Sequence, residues 1–444
     1  MTRQAVAGAA QAQVNPYWWM PFTPNRDFLS DPKLVTRAEG VYYTGVDGGR
    51  ILDGASGLFN VSAGHGRRPI ADAVRDQLLE LDFTPTFLRA QPRPFELARR
   101  IARLTPPGLD RVFFTNSGSE AVDSAMKIVL AYHRARGEGQ RQMFVSRERA
   151  YHGVGFGSGS LSGMVNNRRA FGPGLGGVVH LRHTHLEANR FTRGQPAAGA
   201  ELAEDLERVV ALHGAETIAA VVLEPIAGST GCLVPPQGYL QRIRELCDRH
   251  GLLLVFDEVI TGLGRTGKPF AAQSFGVTPD LITMAKAITN GTQPMGAVAV
   301  RRDLCETVLA AQPNPHAPEF FHGYTCSAHP AAVAAALATL DLFAEEDLFA
   351  QAEALSGYFL DAVWSLADLA IVTDIRGYGM LAGFDVAADR VPGDRGYELQ
   401  KRLFEAGLHI KTTGDSGLLA PAFTYTRAQI DALVDTVRKV LLTF

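Results

Sequence analysis

Lys286 closes the run Leu281-Ile282-Thr283-Met284-Ala285-Lys286. A lysine after an apolar strand is partly desolvated. Desolvation disfavours the ammonium and frees the amine as a nucleophile, fit to form a Schiff base with a carbonyl. A lysine that snorkels its charge out to water would leave the same local pattern. Asp257 likewise ends the apolar run Leu252 to Phe256 and is followed by Glu258 and Val259. A carboxylate at the end of a buried strand is costly without a cationic partner. A protonated pyridine nitrogen is one such partner, and holding that proton makes the ring an electron sink. An ordinary salt bridge or a metal ion would satisfy the carboxylate too.

Three further stretches carry candidate contacts. In Thr115-Asn116-Ser117-Gly118-Ser119-Glu120-Ala121 a strand runs through small residues into a helix. Ser117 with Glu120 fits the capping box. Free N–H groups at that helix start, with Gly118 allowing close approach, suit a phosphate. A plain helix cap reads identically. Tyr151-His152-Gly153 opens a Gly- and Ser-rich stretch that ends at Gly163. Tyr151 is placed either to stack on a flat ligand or to pack within its loop. In His322 to Pro330 small hydroxyl residues precede a helix start. They suit a second phosphate contact or a cap.

These residues need elements to hold them. Arg111 to Thr115 reads as a strand, and Ser119 to Arg136 as a helix with Ala121, Val122, Ala125, Ile128 and Val129 on one face. Ile218 to Leu223 is a buried-strand run. Tyr239 to His250 is a helix stopped by Gly251. Apolar strands alternating with helices from about Asp110 to Arg301 predict an α/β fold with a mostly parallel sheet covered on both faces. Ligands bind such sheets at the carboxyl ends of the strands, where Asp257 and Lys286 fall. Residues 15–59 are aromatic and turn-rich, and residues 331–444 carry helical patterns and glycine-bearing strands. The expected division is an N-terminal segment 1–59, a large domain 60–330 and a C-terminal part 331–444, with both ends building one smaller α+β domain.

The whole chain narrows the function classes. Its 444 residues carry a net charge of -3, with 46% hydrophobic and 20% charged residues. That balance gives no electrostatic case for nucleic acid or an anionic membrane. No segment reaches the roughly 18 consecutive apolar residues of a membrane span. Met1 to Val14 lacks the apolar core of a signal peptide and reads as a disordered or partner-draped tail. Cys232, Cys247, Cys305 and Cys326 lack pairing or metal spacing, as expected of reduced cysteines in a cytoplasmic protein. With neither HExxH nor a CxxC pair, no metal is expected.

Taken together and in order, the motifs resemble the class III (omega-type) aminotransferases of pyridoxal 5'-phosphate (PLP) fold type I. Phe114 to Ala121, Tyr151 to Gly153, Glu224-Pro225, Phe256 to Gly267, Pro279 to Lys286 and His322 to Pro330 carry the resemblance. It runs from about Trp18 to the C-terminus. Trp19-Met20-Pro21-Phe22, Phe191-Thr192-Arg193-Gly194, Leu233 to Leu240 and again His322 to Pro330 look most like the beta-alanine:pyruvate branch. The resemblance implies a seven-stranded-type sheet between helices and a homodimer with shared active sites, with a dimer of dimers as an option. It implies that Lys286 holds PLP as a Schiff base and then acts as general base. Asp257 would pair with the pyridine nitrogen, with Glu224 nearby. Val259 and Tyr151 would pack on opposite ring faces. Gly118 and Ser119 would bind the phosphate, and Thr325 would reach the neighbouring subunit's phosphate. An amine donor and a keto acid, with pyruvate expected, would react by ping-pong kinetics.

Two departures bear on substrates. The family's mobile arginine lies just before a Gly-Asp pair, and here that register holds Lys411, in Leu408 to Asp415. Lysine offers a point charge and not a fork, so carboxylate binding is expected to weaken or pass to a group such as Arg427. Relatives commonly carry tryptophan where this chain has Phe59. Trp18, Phe22, Phe59 and Phe87 are expected to line the donor pocket, some from the partner, or else to pack an interface. An aminomutase or racemase on this fold would use the same lysine, and a requirement for a keto acid separates those readings. A non-catalytic regulator would need a DNA-binding extension, for which the N-terminal segment is short.

Overall fold

The computed structural model describes residues 14–444. Most of the expected tail Met1 to Val14 therefore lies outside the described residues. Near the N-terminus run β1 (Val35–Glu39), β2 (Tyr42–Gly45) and β3 (Arg50–Asp53). The central strands are β4 (Arg111–Thr115), β5 (Met143–Arg147), β6 (Val178–Leu181), β7 (Ile218–Leu223), β8 (Leu253–Asp257), β9 (Leu281–Met284) and β10 (Gly296–Val300). The last are β11 (Val372–Tyr378), β12 (Leu381–Val386), β13 (Leu408–His409), β14 (Lys411–Thr413) and β15 (Ser416–Leu419).

The central strands form one seven-stranded sheet in the order β4-β10-β9-β8-β7-β5-β6. β10 alone runs against its neighbours, pairing antiparallel with both β4 and β9. The short link from β9 to β10 needs no crossover helix, which an antiparallel neighbour permits. The other six strands point one way, so their carboxyl ends share a rim. β7, β8, β9 and β10 are buried along their whole length, which explains their unbroken apolar sequences.

Helices cover the sheet. Gly118–Ala135 buries Ala121, Val122, Ala125, Ile128 and Val129 as its periodicity predicts. Its cap differs from the expected box. Ser117 Oγ accepts from the Glu120 N–H at 3.2 Å, but the Glu120 carboxylate accepts from the N–H of Asn116, one residue further back, at 2.7 Å. Tyr239–His250 buries Leu240, Ile243, Leu246 and Cys247, and Gly251 ends it in the left-handed conformation.

The two chain ends meet in the smaller sheets. β13 pairs in parallel with β3, in a sheet ordered β1-β2-β3-β13. A second small sheet has the order β11-β12-β15-β14. Buried Arg265 ties the large sheet's loops to both ends. It donates to the Met380 and Pro421 carbonyls at 3.1 and 2.6 Å and to Ser62 Oγ at 3.0 Å.

Candidate active site

Five strand ends on the common rim converge on one cavity of about 420 Å³. β4 leads to Gly118 and Ser119, β5 to Tyr151, β7 to Glu224, β8 to Asp257 and Val259, and β9 to Lys286. All of these line the cavity. The shared strand direction thus gathers residues far apart in the chain.

Lys286 sits just past β9 with φ 51, an uncommon left-handed conformation for a side-chain-bearing residue. Burial pulls its amine down to about 8, against the upward pull of Asp257 and Glu224. No described residue bonds its Nζ. The result is an amine that deprotonates near neutrality inside a polar-lined cavity.

Asp257 is held on both oxygens. Oδ2 lies 2.8 Å from His152 Nδ1, and Oδ1 accepts from Thr283 Oγ1 at 3.0 Å and the Val259 N–H at 3.2 Å. Its neighbour Glu258 points elsewhere. Glu258 accepts from the N–H groups of Ala271 and Ala272 and from Thr261 Oγ1, and burial pushes its carboxyl up to about 7. Of the Asp-Glu pair, only Asp257 faces the cavity.

Glu224 accepts from the Tyr151 N–H through Oε1 and from the Gly228 N–H through Oε2, both at 2.9 Å. Burial raises its pKa, while His152 and those donors oppose the rise. Glu224 therefore anchors the Tyr151 loop. Burial also raises the Tyr151 phenol, helped by the charges of Asp257 and Glu224.

The helix start forms a close cradle. A Cβ on Gly118 would lie 3.0 and 3.1 Å from the two Cγ atoms of Val259. Ser119 Oγ accepts from the Val154 N–H at 3.1 Å, which leaves its hydroxyl proton available to a ligand. Gly153 has φ +129, and a Cβ there would come within 2.5 Å of Ser119 Oγ.

Several expected residues stand apart from this cavity. Phe59 is fully buried in the core. Trp18 is exposed, and Phe22 lines a separate cavity. Phe87 lies beside Gly323, 3.2 Å from that glycine's ideal Cβ position. Thr325 is exposed on its loop. Lys411, on β14, donates to the carbonyl of its neighbour Thr412. Arg427 lies over the Tyr358 ring at 4.9 Å.

Two functional positions lacked a clear signal. His152 was visible only as the middle of Tyr151-His152-Gly153, yet its ring is the direct partner of Asp257. Asn60 lines the cavity, and its side chain lies 2.8 Å from the ideal Cβ position of Gly291. No sequence signal marked Asn60, which follows an irregular turn where Ser56 and Phe59 have φ 46 and 65.

Among the described residues, one group of possible metal ligands assembles elsewhere. His185, Asp374 and Asp385 bring their ligand atoms within 4.8 Å of one another. Arg376 already neutralises them. It pairs with Asp374 and forks onto Asp385 at 2.8 and 2.6 Å.

Comparisons with known proteins agree with this geometry. The family model "Aminotransferase class-III" matches residues 26–441. The chain is 51% identical to an omega-aminotransferase of Caulobacter vibrioides, covering 96% of this chain and 97% of that one. It is 44% identical to an omega-amino acid–pyruvate aminotransferase of Pseudomonas putida, covering 98% and 97%. Among solved structures it is similar to an (S)-enantioselective omega-transaminase of Thermomicrobium roseum, at TM-score 0.91, 35% identity and 98% coverage of each chain. It is also similar to the omega transaminase of Pseudomonas jessenii in complex with PMP, at TM-score 0.91, 30% identity and 96% coverage of each.

Proposed function

The chain belongs to the class-III aminotransferases, PLP-dependent enzymes of omega-transamination, and we propose that it carries the amino group of an omega-amino acid such as beta-alanine, or another amine, to pyruvate. The observation that carries this reading is the unpartnered Lys286 amine, lowered to about 8, in the cavity that Asp257 faces. The names of the Pseudomonas putida relative and of a 44% identical beta-alanine–pyruvate aminotransferase of Pseudomonas aeruginosa support the substrate pair.

The residues present fit PLP. An amine poised near neutrality suits its aldehyde, and the Gly118 cradle at a helix start suits its phosphate. Bound PLP supplies an electron sink for the donor's amine-bearing carbon. In this proposal Lys286 would hold the cofactor, and its Nζ would carry a proton to and from that carbon. Asp257, fixed by His152 and Thr283, keeps the ring nitrogen protonated. Val259 and Tyr151, both lining the cavity, would cover the two ring faces. Gly118 and Ser119 hold the phosphate through N–H groups and the Ser119 hydroxyl. Glu224 keeps Tyr151 in place.

The proposal includes a homodimer with shared sites, with pairing into a dimer of dimers open. Support comes from exposed aromatics: Phe321 and Phe87, which line one cavity with Gly323, are 92% and 56% exposed, and Trp18 is 68% exposed. Apolar exposure of this kind is usual at interfaces. In the dimer Thr325 would reach the partner's phosphate site, and Trp18, Phe22, Phe59 and Phe87 would bound or support the donor pocket. A cytoplasmic setting is proposed from the four free cysteines. No helix among the described residues is long and apolar enough to cross a membrane.

The test is a panel of amine donors with pyruvate, followed by the visible absorbance of the bound cofactor. Donor-dependent loss of absorbance, restored by pyruvate, is expected. A spectrum unchanged by every donor overturns the assignment.

A further inference from the structure

A second cavity of about 240 Å³ adjoins the first. Gly153 lines both, so the loop that carries Tyr151 forms a common wall between them. The walls of the second cavity are largely apolar, with Phe22, Val154, Phe156 and Phe171 among them. Arg168 is its one charged lining residue.

The state of Arg168 is unusual for such surroundings. It is half-buried, and its guanidinium has no ion pair or hydrogen bond to any described residue. The neighbouring Asn167 amide also lines the cavity without a described partner. The Ser160 hydroxyl there is already engaged, donating to the Phe156 carbonyl and accepting from the Leu175 N–H at 2.6 Å. No carboxylate lines the space. A guanidinium free of partners, beside an amide in a cavity with largely apolar walls, is a site for a planar anion. Lys411 and Arg427 do not compete for this role, because neither lines either cavity.

We propose that Arg168 binds the distal carboxylate of amine donors whose amine and carboxylate are separated by several methylenes. The amine then lies at Lys286, and the alkyl chain passes Gly153 between Phe22 and Phe156. This inference rests on the omega-transamination reading and names its preferred donor class. It makes Arg168 a specificity-determining residue.

The test compares 6-aminohexanoate with hexylamine, two donors alike in chain and amine but not in the carboxylate, and uses pyruvate as acceptor. In the holoenzyme, Arg168→Met should raise KM for 6-aminohexanoate by about 10-fold or more, a step typical of losing a charge-assisted bond. KM for hexylamine should move less than about 2-fold, within the small effect of a surface change. Arg168→Lys should recover part of the loss. Calorimetry gives a readout independent of turnover: hexanoate should bind the wild-type holoenzyme and bind Arg168→Met at least about 10-fold more weakly. Equal changes for both donors, or hexanoate binding that ignores the substitution, overturn the site. Arg168-dependent hexanoate binding without turnover of any donor would uphold the site and overturn the transaminase reading instead.

Discussion

His152 Nδ1 lies 2.8 Å from Asp257 Oδ2, and both side chains are buried. A ring that donates through Nδ1 leaves Nε2 as an acceptor, and that atom has no described partner. His152 is thus oriented by Asp257 on one side and by its own backbone on the other, where its N–H donates to Ser162 Oγ at 3.0 Å. It acts as a positioning residue for the carboxylate. Hydrogen bonds to charged groups are worth about 1.5–3 kcal/mol. His152→Phe should therefore weaken PLP binding by at least about 10-fold. The variant should also shift the pH at which the bound cofactor's absorbance titrates, which a merely structural role would not do. Cofactor titration of the apoprotein, read by absorbance, checks both.

Gly118 and Val259 form a second pair with a sharp consequence. An added methyl at 118 meets both Cγ atoms of Val259 near 3 Å, and Ala285 Cβ stands at 3.6 Å behind it. Overpacking of this kind costs about 1–3 kcal/mol. Gly118→Ala should lower PLP affinity by about 10-fold or more and lower the apoprotein's melting temperature by a few degrees. The double variant Gly118→Ala with Val259→Ala relieves the contact and should regain part of the affinity. Purely additive losses would separate the two residues.

The Lys286 amine gives a pH prediction. Its pKa is held down to about 8, so the nucleophilic form grows as pH rises through that value. The rate at which PLP attaches to the apoprotein should climb through about pH 8 and then level off. Glu224 pulls this pKa upward, so Glu224→Gln should move the inflection to lower pH. The linkage has a matching sign for stability. In the unfolded chain the lysine pKa returns to about 10.4, so between the two values the unfolded state binds more protons and the apoprotein gains stability as pH rises. Lys286→Ala should lose both effects, together with about 100-fold or more of the transamination rate. Stopped-flow attachment rates against pH are the measurement.

The large domain was the most legible part of the chain. β7, β8 and β9 are buried on both faces, so their sequences are continuous apolar runs, and the residues that break those runs are the ones on the cavity rim. The antiparallel β10 was not legible, because Gly296–Val300 is as apolar and as buried as its parallel neighbours. Strand direction leaves no mark in such a run. His152 was missed for a related reason: its partner lies on a different strand, and a buried histidine carries no periodic signal. Glu258 shows the converse. It looked equivalent to Asp257, but strand alternation turns it to the other side, where it caps the Ala271–Phe275 helix. The aromatics Trp18, Phe22 and Phe87 were placed by resemblance alone, and within one chain they lie outside the Lys286 cavity.

Lys411 is proposed as the acceptor's carboxylate contact, although within one chain it lines neither the Lys286 cavity nor its neighbour. On β14 its register partner is Leu418, and its Nζ donates to the Thr412 carbonyl. Burial lowers its pKa, and no carboxylate offsets that shift. As a point charge already turned to a backbone carbonyl, the ammonium grips a keto-acid carboxylate less well than a guanidinium fork. Lys411→Arg should therefore lower KM for pyruvate by several-fold, about 1 kcal/mol, with kcat nearly constant, the pattern of added uniform binding. Lys411→Met should raise KM by a similar factor. Because Arg168 is assigned to the donor, Lys411→Arg should leave KM for 6-aminohexanoate unchanged. Steady-state kinetics with each substrate varied in turn gives the answer, and a pyruvate KM that ignores both substitutions removes Lys411 from the acceptor site.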